Sequence, residues 1–183
     1  MTGIRKVRTP DEINAARDLA RDFVAFLHQR YPEMQAEIDD YLTRQDFEGQ
    51  LRAFAAHFGP PGGECLIADH RGQPAGVVML KALDGPACEM NRLFVRPEAR
   101  GAGLGRALCE ALFREAYALG YREIRLSALY RHVEALALYR ALGFVECRPF
   151  ERGGDGGDDR IIFMSRRLDD TGAGRHDPQG GGD

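Results

Sequence analysis

The sequence contains no run of eighteen consecutive apolar residues, and its opening MTGIRKVRTP has no apolar stretch of the kind a secretory signal requires. Membrane spanning and secretion are therefore not expected, and a cytoplasmic location is. Nor is basic charge in excess: 25 Lys and Arg stand against 28 Asp and Glu, a formal charge of −3. Tracking a phosphate backbone calls for a basic face, so no nucleic-acid partner is expected. Cysteine is scarce. Cys65, Cys88, Cys109 and Cys147 lie far apart, form no CxxC pair and have no histidine at metal-ligand spacing. No metal site and no redox motif is predicted, and the four are read as buried free thiols.

What is present is a chain of 183 residues, 44% hydrophobic and 29% charged, within the range of one domain with one core. That domain is expected over 1–168. The tail at 169–183, rich in Gly and Asp, lacks the apolar surface to offset its ordering entropy. After a short alternating strand at 4–8, Thr9, Pro10 and Glu12 supply an N-cap, a first-turn proline and a capping-box glutamate. Ile13, Ala16, Leu19 and Phe23 continue that helix until Pro32. A second helical stretch carries Ile38, Leu42, Phe47, Leu51, Phe54 and Phe58 and ends at the glycines and prolines of 59–63.

Strands at 65–69, 75–82 and 88–95 are joined by short turns, which implies an antiparallel meander. A helix over 103–119 carries Leu104, Leu108 and Leu112 and stops at Gly120. Then come a strand at 123–128, a helix at 132–142, a strand at 144–148, an acidic glycine-rich loop at 151–159 and a last strand at 161–168. This order describes an α+β or mixed α/β fold, a mostly antiparallel sheet of six to seven strands with about four helices.

Between the strand ending near Val95 and the helix opening near Gly103 lies the run Arg100, Gly101, Ala102, Gly103, Leu104, Gly105. Glycines let successive backbone N–H groups turn inward as an anion nest, and the unsatisfied donors and dipole of a new helix add positive potential there. A pyrophosphate fits such a place. Two other phosphate loops fail by letter: a Walker loop needs Gly-Lys-Ser/Thr where Gly105, Arg106 and Ala107 stand, and GxGxxG from Gly101 meets Arg106 where it needs glycine.

The RxxGxG of residues 100–105, preceded by LFVRPE at 93–98 and followed by ALALYRALGF, resembles the acyl-CoA loop and second half of the GNAT acetyltransferase core. The resemblance runs from about 88 to 144, while residues 1–62 match only in order of elements. It implies acetyl-CoA as cosubstrate, with its pyrophosphate on the amides of 101–105 beside Arg106. The pantetheine arm would lie along Leu93, Phe94 and Val95. No metal is implied. The implied reaction is acyl transfer to a primary amine, and a non-catalytic acyl-CoA-binding module is the alternative. Edge-strand pairing into a homodimer is common among proteins of this kind.

Amine attack on a thioester needs a neutral nitrogen, support for the oxyanion and a proton for the thiolate. Neutralising an alkyl ammonium at pH 7 costs about 4.6 kcal/mol; returning a proton from a tyrosine to a thiolate is uphill by only about 2 kcal/mol. By the resemblance Tyr139, four residues before Gly143, is the general acid; the other reading is a core tyrosine. Tyr130 is a second tyrosine nearby. Glu89, eleven residues before Arg100, matches the glutamate some members use as base, directly or through water; the other reading is a carboxylate in an ion pair. Alternation would put Glu89, Asn91, Leu93 and Val95 on one strand face, with Met90 and Arg92 on the other. His132 stands where many members carry an asparagine that contacts the pantetheine arm. It is read as an exposed histidine at a helix start that can also act as a hydrogen-bonding group or base. Asp39, Asp40, Asp46 and Glu48, with the acidic loop, are the expected attraction for a cationic acceptor, if they are more than solvated helix charges.

Overall fold

Val77, Val78, Met79 and Leu80 are all 0% exposed, the mark of a strand covered on both faces. They sit in the middle of a seven-stranded sheet. The computed structural model describes residues 3–150 and 159–170, so the acidic loop at 151–158 and the tail from 171 lie outside the described residues. In chain order the strands are β1 (Gly3–Lys6), β2 (Glu64–His70), β3 (Gln73–Ala82), β4 (Ala87–Val95), β5 (Glu123–Leu129), β6 (Val145–Glu146) and β7 (Ile161–Arg167). They are arranged β1-β2-β3-β4-β5-β7-β6. The expected meander of β2, β3 and β4 is present, and the one parallel pairing among the described strands joins β4 to β5. The strand expected at 144–148 shrinks to the two residues of β6.

Six α-helices are described where about four were expected: α1 (Pro10–Arg30), α2 (Gln35–Arg44), α3 (Phe47–Arg52), α4 (Phe54–Phe58), α5 (Leu104–Ala118) and α6 (Val133–Ala141). The excess comes from the second helical stretch, which breaks at Asp46 (φ 49°) and again at Ala53. The reason lies in the spacing of its apolar residues. At about 100° per residue a straight helix would put Phe47 and Leu51 roughly opposite Ile38. With the breaks, Ile38, Phe47, Leu51, Phe54 and Phe58 enter one core. α1 starts as the sequence predicts: Glu12 N donates to Thr9 Oγ1, while the amides of Arg8 and Thr9 donate to Glu12 Oε2 at 2.8 and 2.9 Å.

Alternation sorts the sheet residues into two cores. Leu66, Val78, Leu80 and Met90 pack with α5 and α6, and Cys65, Ile67, Val77 and Met79 pack with α1 to α4 on the opposite face. Cys65, Cys88 and Cys109 are buried free thiols as expected, and Cys147 is half-buried.

Candidate active site

β4 pairs with β5 only from Ala87 to Glu89, against Glu123 to Arg125. Beyond that point the two parallel strands part, and β5 is held by β7 on its other side along its whole length. The cause is local. Arg92 has φ 56°, a left-handed conformation uncommon for a residue with a β-carbon. The β3–β4 register slips there, between Val77 and Met79. One residue of β4 is thus in excess, a β-bulge that bends the strand and reverses its alternation.

That reversal corrects the expected strand face. Glu89 and Asn91 do share a face, but Leu93 and Val95 turn to the α5 side and Phe94 joins the α1 side. Arg92 is not on the side of Met90 either; its guanidinium lies 4.9 Å from the ring centre of Phe47.

Three cavities run in sequence across this split. The first, about 360 Å³, is a groove lined by Val95, Arg100, Gly105, Leu93, His132 and Leu138. The second, about 40 Å³, lies between the parted strands, with Asn91, Leu93, Ser127, His132 and Tyr139 on its walls. The third, about 500 Å³, has Glu89 in its wall beside Lys81 and Arg125. Leu93 and His132 line both the first and the second. The second and third are divided by hydrogen bonds of Ser127 Oγ to Tyr41 Oη (3.0 Å) and from Gln45 Nε2 (3.5 Å).

At the outer end of the groove, Gly101 (φ 84°) and Gly103 (φ 73°) take the left-handed conformation that only glycine adopts without strain. Gly103 is the N-cap of α5 and supplies no side-chain cap. The first-turn amides of Leu104, Gly105 and Arg106 therefore have neither an intrahelical nor a capping acceptor. A β-carbon on Gly105 would stand 3.6 Å from Leu138 Cδ2, an ordinary van der Waals contact. Leu104 buries its side chain in the core and Arg106 pairs with Glu110 at 3.2 Å; of these two, the backbone is what faces a ligand. Arg100 is tied down by Nε donating to Val95 O at 3.0 Å and lies 4.4 Å from the ring centre of Phe26. These features fit a pyrophosphate: bare donors, a helix N-terminus and no side chain over it.

His132 is not the exposed residue expected. It is half-buried, stacked on Phe23 with ring centres 6.1 Å apart and edge-on to Tyr31. Burial, aided by Arg100 and Arg30, lowers its pKa and favours the neutral imidazole. Tyr139 is 7% exposed and packs on Phe144. Burial raises its pKa, with Cys109 and Tyr41 adding to the effect, so the phenol holds its proton. Tyr130 is 44% exposed and lines none of these three cavities.

Glu89 forms the ion pair that one of its two readings expects. Its Oε2 lies 3.1 Å from Lys81 Nζ, and its buried Oε1 has no hydrogen-bond partner among the described residues. Asn91 Oδ1, two residues along the same face, is in the same condition. Neither Lys81 nor Asn91 was singled out from sequence. Lys81 was within reach of it, because the short turn after Ala82 pairs 81 with 89; for Asn91 the signal was strand alternation, which puts it on the face of Glu89. Of the described acidic residues expected to attract the acceptor, only Asp40 adjoins the third cavity, through Arg44. Asp39, Asp46 and Glu48 line a separate cavity with α1, and Asp40 pairs with Arg44 at 2.7 Å.

A model of the acetyltransferase (GNAT) family matches residues 21–144. An uncharacterised N-acetyltransferase of Schizosaccharomyces pombe is 37% identical over 111 residues, covering 60% of this chain and 68% of that protein. The IAA acetyltransferase of Azospirillum brasilense is 38% identical over 105 residues, covering 56% and 67%. The PaiA N-acetyltransferase of Thermoplasma acidophilum, solved in complex with coenzyme A, has the same fold with a TM-score of 0.68 at 15% identity, covering 92% of this chain and 99% of that one. Since the family match takes in well over half of the sequence and includes the glycine cradle and the split strands, this chain belongs to the GNAT family and is an N-acetyltransferase.

Proposed function

We propose that the protein transfers an acetyl group from acetyl-CoA to a primary amine by direct attack on the thioester. The observation that carries this reading is the line of three cavities, with the cradle at one end, Glu89 at the other and Tyr139 at the strand split between them. The backbone amides of 101–105 hold the pyrophosphate. Leu93, Phe94 and Val95 flank the pantetheine arm, and His132 contacts it as a neutral imidazole.

The amine enters from the side of Glu89. Its excess proton passes to Oε1, directly or through water, and its nitrogen forms a bond to the acyl carbon. The C–S bond breaks and the thiolate takes the phenolic proton of Tyr139; the second proton that the nitrogen sheds as it becomes an amide returns to the tyrosinate, and Glu89 gives its proton to solvent, leaving the amide and free CoA thiol. Burial that makes Tyr139 a weaker acid acts in the same direction on a thiolate formed beside it, since both anions lose solvation. The mismatch between them therefore stays near the about 2 kcal/mol of the free groups. The costlier step is neutralising the ammonium, which is where Glu89 acts.

Tyr139→Phe tests this directly. Loss of a general acid predicts a fall in kcat of about 10²-fold or more with the acetyl-CoA Kd unchanged. An unchanged kcat would remove Tyr139 from the role.

A further inference from the structure

The cavity that Glu89 faces is lined by three cationic side chains, Arg44, Lys81 and Arg125, against one other carboxylate, Asp84. It measures about 500 Å³, the size range of small-molecule sites. Glu89 is itself 2% exposed, with Oε2 on Lys81 and Oε1 without a partner among the described residues. That leaves one buried acceptor atom for a nitrogen, in a cavity whose three cations each have a carboxylate partner, Asp40, Glu89 and Glu123. Arg125 is fixed in place: Nε and Nη2 donate to Glu123 at 2.8 and 3.1 Å, and the guanidinium lies 5.6 Å from the ring centre of Phe150. Arg44 is fixed on the last turn of α2 by Asp40. A polycation would bring like charges together here, and Asp39, Asp46 and Glu48 line a different cavity.

Resting on the amine-transfer reading above, we propose that the acceptor is a small amine that also carries an anionic group, its nitrogen at Glu89 and its anion between Arg44, Lys81 and Arg125. The anion is a carboxylate or a phosphate, takes no part in bond making, and fixes which end of the molecule points to the thioester. The ammonium loses one proton to Glu89 and its nitrogen gains the acyl carbon; the sulfur leaves with the proton of Tyr139, which the second proton shed by the nitrogen replaces.

The test is acetyl-CoA turnover, read as thiol release, with matched amines: amino acids against their decarboxylated counterparts, phosphoethanolamine against ethanolamine, and spermidine as polycation. In the pairs that respond, the anionic member is expected to have at least about tenfold higher kcat/KM, carried mainly by KM, as for a binding contact shared by ground and transition states. Arg44→Glu, with Arg44→Gln as the milder change on this half-exposed residue, should abolish the preference. The amino-acid and phosphate pairs separate the two anions. A preference for spermidine or for the members without an anion overturns the anion site and leaves amine transfer standing. If no amine turns over although acetyl-CoA binds, amine transfer falls. The anion site is then decided by melting: it stands if the anionic amines stabilise the wild type and not Arg44→Glu, and it falls if they stabilise neither or both.

Discussion

Burial decides the chemistry available to single residues in this protein. Tyr139 is held as a protonated donor far into the alkaline range, so an alkaline fall in kcat below about pH 10 would have to come from another group. Glu89 is argued to be the base, and that role has a pH signature. With the amine ammonium at pKa about 10.4, help in removing its proton matters most at pH 7 and little once the amine is already neutral. Glu89→Gln is expected to lower kcat/KM about 10²-fold at pH 7, the gap narrowing to severalfold near pH 10. Equal losses at both pH values would assign Glu89 to positioning alone. The residues were legible in the sequence to the extent that motif or register exposed them. Tyr139 and the glycines stand at fixed distances within a motif, and Lys81 follows from a hairpin. His132 in its aromatic surround depends on Phe23, more than a hundred positions away in the chain, and no local pattern announces such a contact.

Among the elements, α1 carries the clearest local code and β4 the most opaque. The capping box holds Glu12 at a pKa of about 2, chiefly through the amides of Thr9 and Arg8. A carboxylate whose folded pKa lies below its unfolded value of about 4.3 stabilises the fold above that value, and the contribution is lost as pH falls toward 2. Glu12→Ala should therefore melt below the wild type at pH 7, with the difference shrinking through pH 4 and vanishing near pH 2; a constant difference would mean that the carboxylate charge is not what the cap uses. The bulge at Arg92 has no such code. A strand that reads as plain alternation carries an extra residue whose left-handed φ is tolerated because the surrounding sheet and Phe47 hold it. That one residue turns Leu93 and Val95 away from the face of Glu89 and helps to part β4 from β5. The broken second helix is intermediate. Its apolar spacing is legible once it is noticed that Ile38 and Phe47 cannot share a straight helix face.

At the scale of the molecule, the sheet places two cores on opposite faces and leaves one seam open between parallel strands. The glycine cradle proposed for the acyl donor is on the far side of that seam from Glu89, an arrangement suited to two substrates approaching from opposite directions. The element order and the cradle were readable because both are local. The cavity proposed for the acceptor was not, because its lining comes from α2, β3, β4 and β5 together, and Asp39, Asp46 and Glu48, which looked suited to it, line another cavity. The central claim is that acetyl-CoA binds at the cradle ahead of α5. It is tested most directly by the melting temperature with and without acetyl-CoA, beside Gly103→Glu, which adds a charged side chain at the helix start. At a hundredfold excess over Kd, ligand should stabilise the wild type by about 2.7 kcal/mol, a rise of about 5 to 10 °C for a chain of this size. The variant should show no rise; a wild type that does not respond, or a variant that responds equally, would contradict the assignment of the cradle.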